Sequence, residues 1–197
     1  LFTWSPDPKL ADYYERALLN GILSTQDPAT AMVMYYMPME SGWYKTFCTP
    51  NDSFWCCTGT GVENHAKYGD SIYFHDENAL YVNLFIASEL RWPEKGLTLR
   101  QETAFPKEQG TTLVLNAPSE VELELRIRVP YWATKGVGVK VNGETREVTA
   151  QPGSYLTLGR TWRNGDAITV EMPMSLHLWR MPADPNLAAI LFGPVVL

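Results

Sequence analysis

Val121-Glu122-Leu123-Glu124-Leu125-Arg126-Ile127-Arg128-Val129 is the stretch from which the fold is read. Five aliphatic side chains alternate with four charged ones. Successive side chains on a strand point to opposite faces, so this pattern predicts one apolar face and one charged face. The charges of Glu122, Glu124, Arg126 and Arg128 are expected to be solvated.

Working outward, the same period-two spacing recurs on both sides. Upstream, Ser71–Phe74 and Ala79–Phe85 read as a hairpin across Asp76-Glu77-Asn78, followed by Leu97–Thr103 and Thr112–Leu115. Downstream, Val137–Val141 ends at Asn142-Gly143, a strong signal for a two-residue hairpin turn. Tyr155–Leu158, Ala167–Met172, Leu176–Trp179 and a final strand at about Ala188–Phe192, closed by Gly193-Pro194, complete the set. Many short strands separated by turn signals predict an antiparallel β-sandwich.

Before Gly69-Asp70 the spacing is helical. Asp7-Pro8 is a helix opening, with Asp as N-cap and Pro at the first helical position. Leu10, Tyr14, Ala17, Leu18 and Ile22 then recur on one face, which Tyr13 widens, and the helix is expected to end near Leu23. That apolar face needs a partner surface. The one other helical stretch in this part is about Gly61 to Tyr68, and two short helices do not close a core alone. Residues 1–72 therefore read as the end of a larger helical domain whose beginning is missing, and 73–197 as the sandwich. Between the helices, Ala31–Tyr36 is a short apolar segment stopped by Pro38. The turn-rich, aromatic residues 40–53 are expected to form an ordered loop walling a pocket.

Composition bounds the function. The 197 residues are 45% hydrophobic, enough for a core, and carry a net charge of −6, which argues against a nucleic-acid partner. No apolar run is long enough to cross a bilayer. Three cysteines make no disulfide framework. The chain opens on Leu1 with no signal-like stretch, which reads as an internal start and leaves the compartment open. It has no phosphate-binding glycine loop, no HExxH and no serine nucleophile elbow.

The chemistry gathers in Phe54-Trp55-Cys56-Cys57-Thr58-Gly59-Thr60-Gly61-Val62-Glu63. Thr60 and Glu63 have capping-box spacing, which would put the two cysteines just ahead of a helix N-terminus. The partial positive charge there favours a thiolate. Two adjacent thiols can also ligate one zinc ion. The alternative is an inert pair of small hydrophobes. A vicinal disulfide is disfavoured, because neighbouring Cα atoms stand about 3.8 Å apart, shorter than usual bridge geometry.

Ser53 through Glu63, continuing through Lys67-Tyr68-Gly69-Asp70-Ser71-Ile72-Tyr73-Phe74, resembles the zinc–cysteine β-L-arabinofuranosidase group of glycoside hydrolases, families 127 and 146. Further similar segments are Tyr81–Ile86, Arg128-Val129-Pro130-Tyr131-Trp132, Val141-Asn142-Gly143, Pro152–Tyr155, Arg160-Thr161-Trp162, Gly165-Asp166 and Gly193–Leu197. They run in the family's order over nearly the whole chain. The resemblance implies the last part of an (α/α)-barrel catalytic domain followed by a β-sandwich: an α+β fragment. It implies a retaining exo-enzyme acting on arabinose-containing glycans, with Cys56 as nucleophile and zinc ligand, Cys57 as second ligand and Tyr35, three residues before Pro38, at the sugar site. The family's other two zinc ligands and its glutamate acid/base lie upstream of the cysteine pair. No Glu-x-Cys occurs among the first 55 residues here, and Glu15, Glu40, Glu63 and Cys48 do not match those positions. The chain alone is thus expected to hold zinc weakly or not at all and to be inactive.

A retaining glycosidase normally uses two carboxyls, one as nucleophile, and a thiolate of lowered pKa can take that place. His65 is the histidine nearest the pair and reads as a helical surface residue. The competing function is a non-catalytic carbohydrate-binding or structural sandwich, in which some of Trp43, Trp55, Trp132, Trp162 and Trp179 stack on sugars while most are core.

Overall fold

The computed structural model describes residues 1–38, 40 and 42–197; Ser41, inside the predicted 40–53 loop, lies outside the described residues. The described residues hold thirteen strands and two α-helices, with the helices first as the spacing predicts. One sheet holds β1 (Tyr73–His75), β2 (Ala79–Val82), β6 (Val121–Val129) and β9 (Ser154–Trp162) in the order β1-β2-β6-β9. The second holds β3 (Ser88–Trp92), β4 (Leu97–Glu102), β5 (Gly110–Asn116), β7 (Gly138–Val141), β8 (Glu144–Arg146) and β10 (Ala167–Glu171) in the order β3-β4-β5-β10-β7-β8. A separate three-stranded sheet follows, made of β11 (Leu176–Met181), β12 (Asp184–Phe192) and β13 (Val195–Val196).

The first two sheets form the sandwich. Leu123, Leu125 and Ile127 of β6 share one buried cluster with Leu99 of β4, Leu113 and Leu115 of β5, and Ile168 of β10. Removing several methylenes from such a site, as in Leu125→Ala, typically costs about 2–5 kcal/mol. The turn at Asn142-Gly143 has the positive φ angles of a tight hairpin, 54° and 82°. Three strands are absent from the sequence reading: β8 is exposed at every residue, so it has no apolar alternation, β13 has two residues, and β3 carries the charged Glu89 and Arg91 beside Leu90.

Two expectations are corrected here. The sandwich is not purely antiparallel, because β2 pairs parallel with β6, Leu80 against Leu125. Nor is the charged face of β6 solvated throughout. Arg128 is fully buried, and its guanidinium bonds Asp12 Oδ1 at 2.5 Å, Glu15 Oε2 at 2.5 Å and the Asn83 carbonyl at 2.6 Å.

Those carboxylates come from helix α1 (Pro8–Ala17), whose Asp7 cap accepts from the Lys9 N–H as predicted. The helix therefore turns Ala11, Asp12 and Glu15 onto the sandwich, and Trp132 Nε1 donates to Glu15 Oε1 at 2.9 Å. Along the predicted apolar face Leu18 is buried, Leu10, Tyr14, Ala17 and Ile22 are half-buried, and Tyr13 is exposed. Past α1 the chain winds on to Thr25. There Asn20 takes the place of a strand neighbour for β13, donating to the Pro194 carbonyl and accepting from the Val196 N–H. Among the described residues no helix is long and apolar enough to cross a membrane.

Candidate active site

The segment between the helices is built from local hydrogen bonds rather than regular structure. Asp27 caps its own turn, accepting from the Ala29 N–H and the Thr30 hydroxyl. Gln26 bridges to Val33, and the Cys48 N–H reaches the Val33 carbonyl at 2.9 Å. Lys45 Nζ donates to the Ser24 carbonyl, and the Thr49 N–H to Ser53 Oγ. These ties bring Tyr35 beside the cysteines although 21 residues separate Tyr35 from Cys56.

Helix α2 spans Cys56–Glu63, with the extended residue Trp55 as N-cap. This corrects the capping-box reading: Thr60 and Glu63 lie inside the helix, and their three-residue spacing is simply one helical turn. The cysteines are therefore the first two helical residues, where free N–H groups are concentrated. No side chain caps this end. The continuation to Ser71 is a tighter 3-10 coil.

Cys56 and Cys57 are exposed free thiols with Sγ atoms 3.8 Å apart. The Tyr35 hydroxyl is 3.7 Å from Cys56 Sγ. The Cys56 pKa is lowered, first by the hydrogen bond from Tyr35, then by Cys57 and by the peptide N–H groups of the first turn. The Tyr35 phenol is pushed well above its ordinary range by its hydrogen bond to Cys56 and then to Cys57. Both shifts run in the direction that favours a Tyr35 phenol beside a Cys56 thiolate.

Cys48 is half-buried and lines the neighbouring cavity rather than sitting in a core. His65 packs edge-on against Tyr68, with ring centroids 5.2 Å apart. His75 lies against Trp92 and His177 against Tyr131, both on the sandwich side. Glu15 is committed to Arg128, and Glu40 accepts from Trp43 Nε1. Among the described residues no three His, Cys, Asp or Glu side chains cluster as a metal site. The cavity beside the thiols, of about 530 Å³, runs from Tyr35 and Trp55 to Trp43 and Tyr44 of the loop. Of the tryptophans, Trp132 and Trp162 are core, and Trp43 and Trp55 are exposed.

Comparison with known proteins gives this arrangement a class. Residues 1–70 match the model of the β-L-arabinofuranosidase GH127 catalytic domain, and residues 79–174 that of the GH127 middle domain. Both are domains of glycoside hydrolases. Within that class the chain belongs to GH127, the family whose two consecutive domain models it matches in order. Solved structures agree. A GH127 β-L-arabinofuranosidase from Geobacillus stearothermophilus T6 is 28% identical, with a TM-score of 0.81 over 99% of this chain and 33% of its own. A second GH127 β-arabinofuranosidase is 26% identical, with a TM-score of 0.83 over 100% of this chain and 34% of its own. A glycoside hydrolase at 24% identity and TM-score 0.80, matched over 98% of this chain and 34% of its own, shares the fold. The chain thus spans about a third of the length of these structures. No curated protein matches it.

Proposed function

We propose that the chain is part of a retaining exo-acting β-L-arabinofuranosidase of the zinc–cysteine group, and that Cys56 is its nucleophile. One observation carries the reading: an exposed thiol of lowered pKa in the first turn of α2, with a tyrosine hydroxyl 3.7 Å from its sulfur. On this reading residues 1–72 close an (α/α) barrel and 73–197 form the sandwich domain.

The Cys56 thiolate attacks the anomeric carbon of a terminal arabinofuranose; the C–S bond forms as the bond to the leaving oxygen breaks. An acid supplied by the rest of the enzyme protonates that oxygen, then takes a proton from water. Water displaces sulfur, and two inversions retain configuration. Tyr35 holds the thiolate in place before attack and receives it again after the second displacement.

The thiol pair also fits zinc. Ligands at about 2.3 Å in a tetrahedron stand ~3.8 Å apart, which is the Sγ–Sγ separation here. Cys56 and Cys57 would hold the ion, with two further ligands from the rest of the enzyme. When bound, zinc keeps the thiol deprotonated at neutral pH.

The test is hydrolysis of an aryl β-L-arabinofuranoside by a longer chain carrying the upstream barrel, with zinc content measured alongside. Cys56→Ser should abolish turnover, and a trapped sugar should appear by mass spectrometry on the Cys56 peptide of the parent. Cys57→Ser should lose zinc and activity together, and Cys48→Ser should be near neutral. The 197-residue chain alone should hydrolyse nothing. Turnover by Cys56→Ser at the parent rate overturns the assignment.

A further inference from the structure

The mechanism uses Tyr35 and the two thiols and leaves the rest of the adjoining cavity without a role. That cavity is lined mostly by aromatic side chains. Tyr36 is 78% exposed, Trp43 70%, Tyr44 80% and Trp55 53%, and all four line one concavity. Large aromatic surface left open in one place marks a binding site rather than scattered exposure. The rings are held from both sides. Tyr35 packs edge-on against Tyr36 at 4.4 Å and against Trp55 at 5.1 Å, and the Trp43 N–H is tied to Glu40 at 3.3 Å. Preorganised rings lose little conformational freedom on binding.

Such a lining suits a sugar. A sugar ring has an apolar C–H face that lies on an aromatic ring and a rim of hydroxyls that bond to indole N–H and phenol O–H groups. The position narrows which sugar. Tyr35 belongs both to this cavity and to the hydrogen bond on Cys56. The volume of about 530 Å³ is in the range of pockets for drug-sized ligands, more than one pentose fills. An exo-enzyme has one terminal sugar on the nucleophile's side of the scissile bond, so what lies beyond it belongs to the leaving group.

We propose that this aromatic groove is the leaving-group subsite, which stacks on the next sugar ring of the glycan and so favours oligosaccharides over arabinofuranosides with small leaving groups. The inference rests on the nucleophile reading above. Its test compares kcat/KM for an L-arabinofuranosyl disaccharide and for methyl β-L-arabinofuranoside, in the longer enzyme. Trp43→Ala should lower the disaccharide-to-methyl ratio about tenfold, the scale of losing one well-placed aromatic contact. Trp43→Phe keeps a stacking face and should hold the ratio within about twofold of the parent. An unchanged ratio in Trp43→Ala overturns the proposal, as does an equal loss on both substrates. Normal turnover by Cys56→Ser would instead sink the nucleophile reading while leaving the ratio test intact, so the two failures are distinguishable.

Discussion

At Cys56 three kinds of donor converge on one sulfur: the Tyr35 hydroxyl, the Cys57 thiol and the peptide N–H groups of the first helical turn. Each stabilises the anion, so the thiolate exists at lower pH than in a free cysteine, which titrates near ~8.5. Alkylation follows the thiolate. In the metal-free 197-residue chain, iodoacetamide modification of Cys56, followed on its own peptide by mass spectrometry, should rise with pH through a midpoint below that value. Tyr35→Phe removes the largest contribution, and its midpoint should move up towards the free-thiol value. Coincident curves for the two proteins would show that Tyr35 does not stabilise the thiolate. The residue pattern hinted at this much of the site: adjacent cysteines between an aromatic pair and a helix. The exact helix start did not follow, because Thr60 and Glu63 satisfy a capping spacing that an uninterrupted helix satisfies equally. What set the start was Trp55 in extended conformation, and no residue-type preference marks a tryptophan as a cap.

Among elements, the junction of α1 with β6 is held by charge as well as by grease. Arg128 is fully buried between Asp12 and Glu15, and burial raises the Asp12 pKa against the pull of that guanidinium. Removing the cation leaves two carboxylates buried and facing each other. Arg128→Met should therefore lower the unfolding free energy by about 3–5 kcal/mol, read from the denaturant midpoint at constant slope. Replacing all three, as Asp12→Leu, Glu15→Met and Arg128→Met, should recover much of that loss, because no charge is then left unpaired. A triple variant no more stable than Arg128→Met would show that the ion network itself is favourable. Period-two spacing made β6 legible, down to its buried Leu123, Leu125 and Ile127. It misread Arg128 because the partners lie 113 and 116 residues away. On a helix, Asp12 and Glu15 one turn apart look like a solvated face, and only the tertiary pairing makes that face the buried one. The parallel pairing of β2 with β6 was hidden for the same reason: alternation tells a strand from a helix and is silent on its neighbour.

Over the whole molecule, a second bare apolar surface stands apart from the aromatic groove. It lies on the third sheet. Cross-strand pairing sets Leu176 opposite Phe192 and Leu178 opposite Ile190, so all four share one face. They are 66%, 38%, 54% and 54% exposed, respectively. The opposite face is covered: Arg16 lies over Trp179 at 4.8 Å, His177 meets Tyr131, and Leu191 is 1% exposed. A sheet that hides one face and presents four large aliphatic and aromatic side chains on the other favours burial of that second face against another surface. The 197-residue chain should therefore form dimers or larger species as its concentration rises, measured by sedimentation velocity. Leu178→Lys together with Ile190→Glu places charges in the middle of that face, as a cross-strand pair of opposite sign that the sheet tolerates. This variant should sediment as a monomer over the same concentrations with an unchanged thermal midpoint, since neither side chain is buried. Tyr13→Lys on α1, also strongly exposed, should leave association as it was. If the double variant still associates and Tyr13→Lys does not, the sticky surface is the helix after all and the third sheet is bystander to it.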